Sequence, residues 1–376
     1  MKKLIIGMIS GLVLTSACST EKSESSENFE FNLTQDTVVV DAGDGIIDLQ
    51  YGLSYPELSN DGKYLFNYVF NQSKFDKINL ETLTLEKTLQ FEREGPNGMG
   101  AYIGGYSLNS EDQIMIWSYG LNAIFDQTGE KIKDLKLDKF GPEEIKGAES
   151  FPMRLVEHPD DPSLIFGVFI KNTPREFFIM KFDSVKKSYQ KISLPETEKF
   201  DEFNMEFTGG GGFGIVPFPT VNAERIIMTN SAFNEAYVYD MLLDSLYLIP
   251  WDSKLTGNKN ETEMPSSADA EEGMVFRRKF FESINFMDPK WDPISQQFIR
   301  MSYKNSYQEE LDEYGEPKLL NSEVFLTVLD KNLKIIKETK LENYTKEPPR
   351  HFFLDNTIWL YENIDDELGF VRIKLN

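Results

Sequence analysis

Two Gly-Pro steps, Gly95-Pro96 and Gly141-Pro142, stand 46 residues apart, and each ends the same succession of segments. A polar turn such as Ser59-Asn60-Asp61-Gly62-Lys63 opens the succession, and an apolar run follows. A second run ends in another polar turn, as at 125–131. A last amphipathic run leads out, over 83–89 in one group and 132–137 in the next. The apolar runs (64–70, 113–117, 164–170, 177–182, 225–229, 236–239, 324–329) are four to seven residues long and rich in β-branched and aromatic types. That is the signature of strands. No helical stretch of a dozen residues stands out beyond residue 30. Four strands repeated at this period describe one blade of a β-propeller, which leaves only short sheet edges exposed.

Six groups begin near Tyr55, Tyr102, Met153, Ile215, Ile284 and His351. Segments 256–273 and 306–322 are polar and read as surface excursions between them. The last group is one strand short: it offers 351–354, 357–361 and 370–375, and then the sequence stops. The first group is preceded by two spare runs, 36–41 and 45–50. The expected fold is therefore all-β, a six-bladed β-propeller over 31–376, with an N-terminal strand completing the last blade. Seven blades is the alternative, if the region after Trp251 holds a further unit.

The N-terminus has its own logic. Lys2-Lys3 precede an apolar run over 4–14, too short for the ~20 residues that cross a bilayer, so residues 1–17 read as an export signal. Small residues Ser16-Ala17 stop before Cys18, the one cysteine of the chain. This resembles the lipobox of bacterial lipoproteins, with Thr15 departing from the leucine that the pattern prefers. The resemblance implies lipid attachment at Cys18. Residues 18–30 are polar and acidic and read as a solvated tether. The expectation is an outer membrane lipoprotein on the cell surface or the periplasmic face, held to the membrane by lipid while the folded part stays in water.

The lipobox, the acidic tether, the stretch Phe91-Glu92-Arg93-Glu94-Gly95-Pro96-Asn97-Gly98, the segment 291–303 and the repeat resemble together an uncharacterised lipoprotein family of Bacteroidota, domain of unknown function 4221. The Gly-Pro loop is also similar to that of six-bladed propellers of the NHL-like group. The resemblance implies architecture and compartment and supplies no active site.

With 62 acidic against 39 basic residues the net charge is −23, which excludes general nucleic-acid binding. One cysteine and two histidines build neither a disulfide framework nor a cysteine or three-histidine zinc site. The glycine run 209–214 lacks the following helix and Lys-Ser/Thr of a phosphate cradle and reads as a loop. His158, between prolines and aspartates, reads as an ordinary turn. Acidic turns at 41–48, 160–161, 309–313 and 365–367 leave calcium as the one conceivable cofactor, without the spacing of a calcium loop. Basic residues are scarce, so their placement matters. Arg93, Asn97, Arg154, Arg350 and His351, each in or before a presumed inner strand, are the candidate ligand-binding set, and Arg277 and Arg278 precede the fifth. Convergent arginines would make a positive funnel in a negative body.

The reading that follows is a monomeric binding module for a glycan, a peptide or an envelope protein. The alternatives are a scaffold in an envelope complex and a metal-dependent propeller hydrolase or lactonase. Three or more metal-reaching side chains on the axis would favour the enzyme. Arg, Trp and Tyr around a wide mouth would favour binding.

Overall fold

The apolar runs become strands whose two faces are both buried. The computed structural model describes residues 32–376, apart from 119, 146–149, 223 and 312–316. The export signal, Cys18 and the tether 18–30 lie outside the described residues. Among the described residues six antiparallel sheets of four or more strands follow in chain order. Sheet 1 comprises Pro56–Leu58, Tyr64–Val69, Lys74–Asn79 and Thr84–Gln90. Sheet 2 comprises Gly105–Leu108, Ile114–Ser118, Leu121–Phe125 and Lys131–Asp134. Sheet 3 comprises Ser150–Glu157, Leu164–Asn172, Arg175–Asp183 and Ser188–Ser193. Sheet 4 comprises Phe218–Asn222, Arg225–Thr229, Glu235–Asp240 and Ser245–Pro250. Sheet 5 begins with two short strands, Asn285–Phe286 and Lys290–Asp292, followed by Gln297–Leu311, Pro317–Leu329 and Ile335–Lys340. Sheet 6 comprises His351–Leu354, Thr357–Ile364, Glu367–Leu375 and Leu33–Val39. The fold is a β-propeller.

The core is a series of seams between neighbouring sheets, and strand alternation builds it. Ile114 and Ile116 face sheet 1 and pack with Phe66, Phe75 and Phe91. Met115 and Trp117, one residue out of phase, face sheet 3 and pack with Leu155, Phe169 and Phe178. Sheet 3 in turn gives Phe166, Val168 and Ile179 to a seam with Ile226 and Tyr237 of sheet 4. Ile227 and Val238 meet Phe298 and Leu329 of sheet 5. A strand covered on both faces must be apolar throughout, which is why these runs alternate so weakly. Each buried Phe contributes about 1.5–3 kcal/mol by leaving water.

Closure takes place between sheets 6 and 1. Leu33–Val39 runs antiparallel to Glu367–Leu375, from Leu33 opposite Leu375 to Val39 opposite Gly369. Val40 N–H then donates to the Leu368 carbonyl at 2.8 Å. Asp41 crosses to sheet 1: its N–H donates to the Leu83 carbonyl at 2.8 Å and its carbonyl accepts from Leu85 N–H at 2.9 Å. Beneath this crossing Val40, Ile47, Leu65 and Ile78 pack with Phe352, Trp359 and Phe370. The spare N-terminal run thus completes the last sheet, as expected. The run 45–50 forms no strand; it spends Ile47 on the seam instead.

Connections alternate between the two ends of the sheets. Tight turns joining first to second strands share one end, and the long links from each outer strand to the next inner strand share the other. Asp carboxylates organise many of the tight turns: Asp126 Oδ1 accepts from the N–H of Thr128 and Glu130, and Asp330 Oδ1 from Asn332 and Lys334. These acidic turns hold their own backbone.

Two expectations need correction. Segment 256–273 is not a surface excursion. It leads into a 13-residue helix, Ala270–Glu282, capped by Asp269, whose carboxylate accepts from Glu272 N–H at 2.9 Å. Buried Asn260 ties the segment down, donating to the carbonyls of Phe280 and Ile284, both at 2.9 Å. Phe280 is the helix's anchor in the seam between sheets 3 and 4. The region after Trp251 also supplies Ser267–Ala268 to a small sheet with Met205–Phe207 and Gly212–Phe213, rather than another four-stranded unit. The glycine run makes the turn of that small sheet, with Gly210 and Gly211 at positive φ. Segment 306–322 is a surface excursion with strand structure: it extends two strands of sheet 5 into a long hairpin.

Candidate functional site

The six inner strands bring polar side chains to the axis. Neighbouring inner strands touch: Pro56–Leu58 meets Gly105–Leu108, which meets Ser150–Glu157, and Lys290–Asp292 touches both Phe218–Asn222 and His351–Leu354. Arg154 of sheet 3 reaches Glu57 of sheet 1 in a two-pronged pair, with Nη2 donating to Oε2 at 2.9 Å and Nη1 to Oε1. Their side chains are 19% and 22% exposed, so solvent still touches the pair. Burial opposes the guanidinium's charge, but Glu57 outweighs it and raises the Arg154 pKa. Tyr106 of sheet 2 sits beside them, its hydroxyl donating between the carbonyls of Tyr55 and Phe66.

On the other side of the axis Lys290 Nζ donates to Asp288 Oδ2 at 2.7 Å, and the Thr220 hydroxyl donates to the same oxygen at 3.2 Å. Burial pushes against ionisation of Asp288, yet Lys290 holds its pKa below the usual range. His351 lies next to this pair and is 3% exposed. Its Nδ1 is 2.9 Å from the Pro349 carbonyl, so in the neutral ring Nδ1 carries the proton. Nε2 is then an acceptor, and it has no partner. Burial, with Lys290 adding to it, lowers the His351 pKa to about 4. The axis therefore holds two acid–base pairs and a neutral imidazole. Among the described residues no three His, Cys, Asp or Glu side chains come together as a metal site would require.

On sheet 1 and its flanking links, at the end that carries the long connections, aromatic rings stand in solvent. Tyr51 meets Phe70 edge-on at 5.4 Å, and Phe70 meets Tyr102 at 6.5 Å. Tyr51 and Tyr102 are 57% and 68% exposed. Tyr51 belongs to the link from sheet 6 to sheet 1, Phe70 to a turn of sheet 1, and Tyr102 to the link from sheet 1 to sheet 2. Topology alone brings the three together. Nearby, the Arg350 guanidinium lies over the Tyr55 ring at 5.6 Å.

The candidate set from the sequence divides accordingly. Arg154 and His351 both reach the axial cluster. Arg350 stands at the rim on Tyr55. Arg93 lies in the link after sheet 1, where its Nε donates to Ser73 Oγ at 3.1 Å and its Nη2 to the Asn71 carbonyl. Asn97 in the same link accepts from Lys131 N–H at 3.2 Å and so joins sheet 1 to sheet 2. The positive funnel does not assemble. Arg225 faces Asp240, Arg372 is held by Asp36, and Arg277 and Arg278 ride on the helix, where Arg278 meets Glu282. Buried Arg300 lies between the rings of Trp251 and Phe286, and burial lowers its pKa to about 9. His158 is a turn residue, its Nε2 3.1 Å from the Met241 carbonyl. Glu57, Tyr106, Thr220, Asp288 and Lys290 were not singled out. The available signal was position: each lies in or beside the first strand after a long link.

Comparison with known proteins gives five findings. The model of a family described as Domain of unknown function (DUF4221) matches residues 27–340. A crystal structure of a member of that family from Bacteroides vulgatus is similar over 92% of this chain and 99% of its own, with 16% identity and a TM-score of 0.61. A putative exported protein from Bacteroides fragilis is similar over 92% of this chain and 95% of its own, with 8% identity and a TM-score of 0.48. The Cps50 (Swd1) β-propeller domain of Myceliophteria thermophila is similar over 91% and 99%, with 9% identity and a TM-score of 0.39. No curated protein matches the chain.

Proposed function

The chain belongs to the DUF4221 family, and from that premise, which brings no activity with it, we propose that it is a lipid-anchored binding propeller that takes its ligand at the end carrying the long connections. The observation that carries this reading is the exposed row Tyr51, Phe70 and Tyr102 beside Tyr55 and Arg350. Exposed aromatic rings in mutual contact form a surface suited to the faces of sugar rings or the side chains of a peptide. The axial charges are already paired, so they form the floor of the mouth rather than its grip.

Membrane attachment through Cys18 fits this geometry. Leu33 begins the closing strand beside the C-terminus, where Asn376 N–H donates to the Asn32 carbonyl at 3.2 Å. That strand runs from the tight-turn end toward the long-connection end. A lipid on Cys18 would hold the folded part to the membrane through the segment that precedes Leu33. The outer membrane, on its surface or periplasmic face, is the compartment that this arrangement serves. A scaffold role is the second reading, favoured by exposed Leu319 and Leu320 on the long hairpin of sheet 5.

The test uses the full chain in detergent on glycan and peptide arrays, beside the double variant Tyr51→Ala, Tyr102→Ala. Binding that the double variant loses, with an unchanged melting curve, supports the rim. Binding that survives places the ligand elsewhere. Cys18→Ser should move the protein from the membrane fraction to the soluble fraction, and its retention in the membrane would refute the anchor.

A further inference from the structure

A cleft of about 580 Å³ opens where sheet 6 meets sheet 1, at the tight-turn end and away from the aromatic rim. Its size lies in the range of small-molecule sites. Leu80 and Leu354, both buried, give it an apolar floor. Trp359 lines it at 6% exposure, and the indole N–H has no hydrogen-bond partner. The ring is fixed by neighbours: Phe352 stacks on it at 5.5 Å, and the Arg372 guanidinium lies over it at 5.1 Å. Arg372 in turn donates from Nε to Asp36 Oδ1 at 2.8 Å, which neutralises its charge.

We infer that this cleft binds a neutral oligosaccharide. The first reason is charge. The chain as a whole is at −23, yet the cleft sets four carboxylates against three cations, and the closest of them are paired with one another. An ionic ligand finds no net field there to favour it. The second reason is hydrogen bonding. Lys63 and the indole N–H donate, Asp61 and Glu81 accept, and Gln35 does both. A hydroxyl group also does both, so a polyol can satisfy a wall of mixed polarity where a ligand of one polarity cannot. The third is the apolar floor, which suits the C–H face of a sugar ring. The indole N–H has the most to gain: buried without an acceptor it carries a desolvation cost that a sugar hydroxyl would relieve.

The position adds a consequence. Gln35 belongs to the closing strand, Trp359 to sheet 6 and Leu80 to sheet 1, so a ligand here bridges the seam that closes the ring. Binding should stabilise the fold more than a contact on one sheet would, by mass action on the closed form.

The test titrates the full chain in detergent, by calorimetry and by thermal melting, with neutral gluco-, manno-, xylo- and galacto-oligosaccharides of graded length. Uronic and amino-sugar oligomers and a mixed dipeptide set serve as controls. The expected result is one-to-one binding of a neutral oligosaccharide with a raised melting temperature. Trp359→Phe, which keeps the packing and removes the N–H, should weaken it about fivefold. Gln35→Ala, at an exposed position, should weaken it similarly, and Val185→Ala, on an exposed turn of sheet 3, should leave it unchanged. The inference is overturned by no binding across the neutral panel, by preference for a charged control, or by binding that both cleft variants leave intact. Because the double variant Tyr51→Ala, Tyr102→Ala reports on the rim and Gln35→Ala on the cleft, failure here is distinct from failure of the rim.

Discussion

Placing proline at Val38 tests whether the N-terminal strand is what closes the ring. In an antiparallel pair, residues alternate between those that exchange backbone bonds with the partner and those that point away. Val40 N–H donates to Leu368, so Val38, opposite Phe370, is the next bonded residue, and Thr37, opposite Val371, turns its N–H to the open edge. Val38→Pro removes a ladder bond and leaves the carbonyl of fully buried Phe370 without its donor. The lost bond costs about 1–3 kcal/mol, and proline inside a ladder brings the total to roughly 3 kcal/mol. Thr37→Pro takes no bond away and should cost less than about 1 kcal/mol. At an unfolding entropy of about 2.1 cal/mol/K per residue, a unit spanning Asn32–Asn376 loses roughly 1.4 °C per kcal/mol. The expected shifts are thus about 4 °C for Val38→Pro and near 1 °C for Thr37→Pro. Thermal melting followed by circular dichroism reads both, with Val38→Ala separating the side chain from the backbone. Equal shifts for the two prolines would refute the argument, because only the register distinguishes them.

Further outcomes follow from the axis and the helix. Arg154→Met should cost about 2 kcal/mol by leaving Glu57 uncompensated, and the double variant with Glu57→Gln should recover most of it; a urea double-mutant cycle measures the coupling. His351, at about 4 in the folded protein and near 6.5 unfolded, contributes stability that is fully present above pH 6.5 and lost as the pH falls toward 4. That loss is about 3 kcal/mol, and in His351→Gln the urea midpoint should fall less between pH 7 and pH 4.5 than in the parent. Asn260→Ala should cost about 2–3 kcal/mol by freeing the carbonyls of Phe280 and Ile284, with faster amide exchange over Ala270–Glu282 as the readout.

The propeller was legible because its physics is periodic. Inner-strand runs, turn residues and links recur, and groups expected near Tyr55, Tyr102 and His351 begin at Pro56, Gly105 and His351. The missing strand at the end and the spare strand at the start could be matched by counting. The helix was not seen because it buries only Gly273 and Phe280, too little for a continuous apolar stripe. Its cap was present, however: Asp269 followed three residues later by Glu272 is a helix-start pattern. The long hairpin of sheet 5 was legible only as a surface excursion, because 306–310 and 317–318 are largely polar and carry no strand alternation. Arg154 and His351 could be picked by their place in inner strands. Their partners could not, because Glu57 lies 97 residues from Arg154 and only the circular arrangement brings them face to face. The cleft was hidden for the same reason: Gln35, Leu80 and Trp359 share it only once the ring has shut.

The fastening of the first strand onto the last sheet has a mechanical side. Any pull on the chain ahead of Asn32 enters the propeller at Leu33, at one extremity of the closing ladder. Such a force strips that ladder bond by bond toward Val39, with the Val40 and Asp41 crossings as the final stops before the ring can gape. The other strands of the propeller stay together until those give way, so drag acting on this protein would be resisted first by a zip of seven residue pairs.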